Sequence, residues 1–150
     1  MKEGDLVPDF ELPDQHGTKR SLSGLLADGP VVLFFYPAAM TAGCTKEACH
    51  FRDVAADFAT AGVQRVGISR DNVDRQKEFS DKHSFDYPLL SDEDGTVAGI
   101  FGVARGGLLG RLTPVKRWTF AIGTDRRVVK IIHSETNMNL HADEALRAFA

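Results

Sequence analysis

The chain reads as an α/β domain, and three stretches predict it. Val31 to Tyr36 (VVLFFY) is apolar without alternation, the pattern of a strand covered on both faces. From there to His83, strand, helix, strand and helix succeed one another, the signature of a parallel α/β unit with right-handed crossovers. Later, residues 115–122 and 128–133, joined by Gly123-Thr124-Asp125-Arg126-Arg127, read as an antiparallel hairpin. Parallel and antiparallel pairings together make a central mixed sheet flanked by helices.

Residues 5–20 alternate apolar and polar around Phe10 and Leu12 and reach the turn Asp14-Gln15-His16-Gly17, which predicts an N-terminal strand or hairpin at the domain edge. Ser21 can cap a short helix through Leu26, closed at Asp28-Gly29-Pro30. After the central strand comes a loop over 37–43. Residues 44–61 then form one predicted helix, with Ala48, Phe51, Val54, Ala55 and Phe58 on a single stripe and Gly62 ending it. Val63 to Ser69 is the next predicted strand and Asn72 to His83 a polar helix. Tyr87 to Leu90 suggests a further strand, Asp92 to Gly95 a turn, Val97 to Phe101 a short helix, and 104–114 a loop. The tail from His141 to Phe149 has helical apolar spacing and suits packing on a sheet face.

With 150 residues, 43% hydrophobic and 26% charged, the composition fits one domain over residues 1–150. The net charge of -3 gives no basic excess for a nucleic-acid partner. No N-terminal basic-then-apolar segment resembles a secretory signal, and the longest clean apolar run is too short to cross a bilayer. A cytoplasmic location is therefore expected, where two cysteines are redox groups, metal ligands or small core residues rather than a permanent structural disulfide. The five histidines are scattered without ligand spacing, and the Gly106-Gly107-x-x-Gly110-Arg111 stretch lacks the residues of a phosphate-binding loop.

Both cysteines, Cys44 and Cys49, lie where the central strand gives way to a helix. A cysteine in a helix's first turn sits at the positive end of the backbone dipole, beside amides with no partner inside the helix, which favours thiolate over thiol. On a regular helix a five-residue separation is a rise of about 7.5 Å and a rotation of about 140°, or roughly 8.6 Å between Cα atoms. A disulfide needs about 4.4 to 6.8 Å. If the two sulfurs bond, the turns around Cys44 must first unwind.

Pro37-x-x-x-Thr41-x-x-Cys44 resembles the P-x-x-x-T-x-x-C motif of the peroxiredoxins. The extension from Gly43 through Cys44, Glu47 and Cys49 to Phe51-Arg52-Asp53 is similar to the bacterioferritin comigratory protein, or peroxiredoxin Q, branch. Gly4 to Leu12 matches that branch's opening, and Arg117-x-Thr119-Phe120 its late R-x-T-F segment. The resemblance implies a thioredoxin-like fold and a thiol-dependent peroxidase acting on hydrogen peroxide and organic hydroperoxides. It makes Cys44 the peroxidatic cysteine, Thr41 and Arg117 its activating partners, Pro37 a shield against solvent, Cys49 the resolving cysteine and Glu47 a residue that orients the arginine. A Cys44 sulfenic acid would be resolved by Cys49 as an intrachain disulfide and reduced by thioredoxin or a similar dithiol. The scheme requires no organic cofactor or metal, and a monomer is favoured over a dimer because it needs no second chain.

Three departures from the branch pattern stand out: Ala42 in place of proline, the apolar Ala38-Ala39-Met40, and Trp118 in place of a small residue. Together they predict a more apolar pocket, tolerant of bulkier organic hydroperoxides. The rival reading is a redox-switched sensor or binding protein that uses the same disulfide without rapid turnover.

Overall fold

The computed structural model describes residues 1–105 and 115–150. Strands β1 (Glu11–Pro13) and β2 (Lys19–Ser21) form a small antiparallel hairpin, the predicted N-terminal extension. Asp14 holds its turn, accepting from the backbone N–H groups of His16 and Thr18. Ser21 caps α1 (Leu22–Leu26) through a hydrogen bond from the Gly24 N–H, as its sequence position predicts.

The central sheet contains β3 (Val31–Phe35), β4 (Gln64–Ser69), β5 (Leu89–Ser91), β6 (Trp118–Ile122) and β7 (Val128–His133), in the order β5-β4-β3-β6-β7. The β3–β4 and β4–β5 pairs are parallel; β3–β6 and β6–β7 are antiparallel. The absence of alternation in β3 has a direct cause: Leu33 and Phe35 enter the core on one face, while Val32, Phe34 and Tyr36 enter a second core on the other. On the second face Phe34 stacks on Phe51 with ring centroids 4.1 Å apart. That packing requires a glycine in β4, because a Cβ on Gly67 would lie 2.8 Å from Leu89 Cδ2 and 2.9 Å from Phe34 Cζ.

Helices α2 (Ala42–Asp53), α3 (Ala55–Ala61), α4 (Val73–His83), α5 (Thr96–Phe101) and α6 (Met138–Arg147) complete the fold. The single helix expected over 44–61 is two helices. The backbone leaves helical geometry at Val54 (φ -97°, ψ 22°), and the change of direction lets Phe58 pack against Phe51. Apolar periodicity carries straight across this break, so the stripe concealed it. Near the C-terminal end of α2, Arg65 Nη1 donates to the Phe51 carbonyl at 2.9 Å and pairs through both terminal nitrogens with Asp86.

Other boundaries shift by a few residues. The strand expected over 87–90 is Leu89–Ser91, the one expected from Val115 begins at Trp118, and the tail helix starts at Met138, where Asn137 accepts from the Leu140 N–H. The loop expected over 104–114, with its glycine-rich stretch, lies from residue 106 onward outside the described residues. No helix among the described residues is long and apolar enough to cross a membrane.

Candidate active site

The site forms where the end of β3 meets the start of α2. Thr41 is the N-cap residue in extended conformation, so Cys44 is the third residue of the helix, in its first turn, with the amides of that turn free of side-chain capping. The antiparallel register pairs Phe34 with Thr119, which brings the residues entering β6 alongside the residues leaving β3. Arg117 thereby reaches Cys44 from across the sheet. Its Nη2 donates to Cys44 Sγ at 3.4 Å and its Nη1 to Glu47 Oε1 at 2.9 Å. Cys44, Glu47 and Arg117 are 1%, 0% and 6% exposed, so this contact is shielded from bulk water, where a guanidinium would be worth far less to a sulfur anion.

Glu47 lies one turn beyond Cys44 on α2. Burial pushes its carboxyl up to about 8, against the downward pull of Arg117, with the negative charge of Glu135 adding to the rise. Its second oxygen, Oε2, is buried without a hydrogen bond. Burial opposes the charge on Arg117, but Glu47 and Cys44 outweigh it and hold that pKa above its ordinary value. The Arg117 main chain is fixed as well, its N–H donating to Glu135 Oε2 at 3.2 Å.

The remaining residues singled out in the sequence are placed differently. Thr41 is exposed, and its hydroxyl donates to the Ala38 carbonyl at 2.8 Å, closing the loop that carries it toward α2. Pro37 is half-buried at the start of that loop. Cys49 lies further along α2, half-buried, and burial raises its thiol pKa. Both cysteines are free thiols.

Trp118 corrects the expectation of a pocket residue. It packs against the core on the opposite face of the sheet from Cys44 and stacks on His133 at 4.8 Å, because neighbours in a strand point to opposite sides. The apolar character at the site comes from elsewhere. Ala39 is buried beside the Cys44 core, Met40 is half-buried against it with φ 65°, and Met138 at the start of α6 comes close to Gly43, where a Cβ would lie 3.0 Å from its Cε and 3.2 Å from Arg117 Nη2.

Three contributors carried no signal in the sequence. Asp71, just after β4, accepts from the Ala39 N–H at 2.8 Å and from the Ser69 hydroxyl at 2.6 Å, tying the loop before Cys44 to the sheet. Met138 is the second. His141, third, is fully buried on α6, with Nδ1 2.7 Å from Thr119 Oγ1 and Nε2 2.8 Å from the Ser134 carbonyl. Burial lowers its pKa, aided by the nearby Arg117 charge, so the ring is neutral. A carbonyl can only accept, so the proton is on Nε2 and Nδ1 accepts from the Thr119 hydroxyl. Among the described residues no cluster of three or more histidine, cysteine, aspartate or glutamate side chains is arranged to hold a metal.

A thiol at a helix N-terminus with an arginine against its sulfur can attack an electrophile whose leaving group gathers negative charge, since the same guanidinium can donate to both. Comparison with known proteins agrees with that chemistry. Residues 4–131 match the AhpC/TSA family. A Mycobacterium tuberculosis protein bearing the peroxiredoxin name is 66% identical over 146 residues, covering 97% of this chain and 94% of its own. The crystal structure of peroxidoxin BcpB from Mycobacterium tuberculosis superposes with a TM-score of 0.95 at 64% identity, covering 99% of this chain and 96% of that one. The bacterioferritin comigratory protein of Xanthomonas campestris superposes with a TM-score of 0.83 at 31% identity, covering 93% and 89%. With a thioredoxin-like sheet and a cysteine held by arginine just beyond the end of its central strand, the chain belongs to the AhpC/TSA family, in the bacterioferritin comigratory protein and peroxiredoxin Q branch of the peroxiredoxins.

Proposed function

We propose that the chain reduces hydroperoxides through Cys44, with Cys49 as the resolving thiol and a thioredoxin-like dithiol as the external reductant. The observation that carries the reading is the buried Glu47–Arg117–Cys44 relay, which aims one guanidinium nitrogen at the sulfur. The Cys44 thiolate attacks one peroxide oxygen, the O–O bond breaks, and the departing oxygen takes a proton to leave as water or an alcohol. Arg117 and the first-turn amides of α2 supply donors along the developing S–O–O line. Thr41 acts in this scheme through the loop it closes, and Pro37 through the shielding of that loop.

The Cys44 sulfenic acid is then attacked by the Cys49 thiolate, forming the S–S bond and releasing water. On an intact α2 the two residues are too far apart to bond, so this step includes unwinding of the first turns. An outside dithiol reduces the disulfide and is itself oxidised. Because both thiols belong to one chain, the working unit is a monomer, and the expected setting is the cytoplasm.

Met40 and Met138 beside the site favour organic hydroperoxides as substrates alongside hydrogen peroxide. The bacterioferritin comigratory protein of Xanthomonas campestris has alkyl peroxide reduction activity, which supports the same substrate class here.

The test is peroxide consumption with a thioredoxin system by the wild type, Cys44→Ser and Cys49→Ser. Loss of reaction in the first variant and one stoichiometric turnover in the second are expected. Activity retained in Cys44→Ser would refute the scheme, and a wild type that oxidises once without recycling would favour the redox-switch reading.

A further inference from the structure

The interface between β6 and α6 is apolar where Ala142 and Ala145 pack, with one exception. Thr119 and His141, both fully buried, face each other there. An apolar pair would fill this space with no polar group to desolvate, and a buried hydroxyl or imidazole is costly when unpaired. The hydrogen bonds to Thr119 and to the Ser134 carbonyl do little more than offset that cost. What they add is orientation. An imidazole that must accept at Nδ1 and donate at Nε2 has one way to sit.

That orientation places Nε2 3.6 Å from Glu47 Oε2, the carboxyl oxygen without a hydrogen bond. The other oxygen of the same carboxyl holds Arg117. Arg117 and Thr119 are two residues apart, so one clasp borders both the strand that delivers the arginine and the carboxyl that aims it. We propose that His141 is a positioning residue for peroxide reduction: fixed between Thr119 and Ser134, it packs its Nε2 edge against the Glu47 carboxyl and so keeps Arg117 directed at Cys44. The inference rests on the peroxidase reading of Cys44. It gives α6, distant in sequence from both cysteines, a part in the reaction.

The test compares two rates for Cys44 in the reduced full-length chain: single-turnover oxidation by hydrogen peroxide and alkylation by iodoacetamide, the latter followed at Cys44 by mass spectrometry. Alkylation breaks no O–O bond, so it depends less on where Arg117 points. In His141→Leu the peroxide-to-alkylation ratio is expected to fall by about 10- to 100-fold, the usual range for loss of a supporting partner. In His141→Gln, whose carboxamide offers an acceptor oxygen and a donor nitrogen, it should stay within about threefold of wild type. An unchanged ratio in His141→Leu, or a His141→Gln as impaired as His141→Leu, would overturn the proposal. Should His141→Leu not fold, Thr119→Val decides: a ratio lowered by about three- to tenfold supports the clasp and an unchanged one refutes it. A wild type that alkylates but does not reduce peroxide would instead overturn the peroxidase reading, and the clasp's catalytic role with it.

Discussion

Replacing Glu47 with glutamine should change how the stability of the reduced protein depends on pH. The folded carboxyl titrates near 8 rather than at its ordinary 4.5, chiefly because burial disfavours the charged form. Folded Glu47 therefore binds its proton more tightly than unfolded Glu47. Its contribution is fully present below about pH 4.5, declines as pH rises toward 8, and is constant above that. At about 1.4 kcal/mol per tenfold change in proton affinity, the whole window corresponds to a loss on the order of 5 kcal/mol. Glutamine keeps an acceptor for Arg117 Nη1 and has no proton to lose. Urea unfolding of reduced wild type and Glu47→Gln across pH 5 to 8 isolates the effect: wild type should lose stability relative to the variant at every step upward. A difference between the two proteins that does not vary with pH would refute the assignment of a raised carboxyl to this site.

Two further outcomes are expected. Gly67→Ala should destabilise the domain by about 1–3 kcal/mol, since the new methyl meets Leu89 and the Phe34 ring on a face with no slack; a thermal midpoint equal to wild type would contradict that packing. Tyr87→Phe removes a 2.7 Å hydrogen bond to the Ala48 carbonyl, worth about 1 kcal/mol, and should speed disulfide formation after oxidation by up to about fivefold. Rapid-quench measurement of thiol loss would detect this, and an unchanged or slower rate would show that the bond does not restrain α2.

Much of the fold was legible because its periodicities are local. The apolar run of β3, the β6–β7 hairpin and the capping serine of α1 each declare themselves within a few residues. The break at Val54 did not, since apolar spacing on either side of it fits one continuous helix. At the site, Cys44, Glu47 and Arg117 were singled out through the resemblance to the peroxiredoxin motifs, and the structure brings the three together; no local pattern links residue 117 to residue 44. Thr41 was readable as a motif position, but nothing local indicated that its hydroxyl would turn to the Ala38 carbonyl. Asp71, Met138 and His141 act across gaps of 32, 95 and 94 residues from Ala39, Gly43 and Glu47, and contacts at that range leave no mark on the sequence around either partner. Trp118 shows the converse error: a residue next to Arg117 in sequence lies on the far side of the sheet.

Helix α2 is anchored unevenly along its length. Tyr87 holds the Ala48 carbonyl, Arg65 holds that of Phe51, and Arg52 donates to the His83 carbonyl at 2.8 Å. These ties begin one turn past Cys44 and continue to the helix end. Fraying of α2 thus has a direction: it starts at Ala42, releases the Arg117 bonds to Cys44 and Glu47, and meets its first main-chain tie at Ala48, with Cys49 immediately behind it. In the proposed cycle Cys44 is the travelling sulfur and Cys49 the stationary one, so the reach of the reaction is set by how far one short turn can swing before that tie stops it.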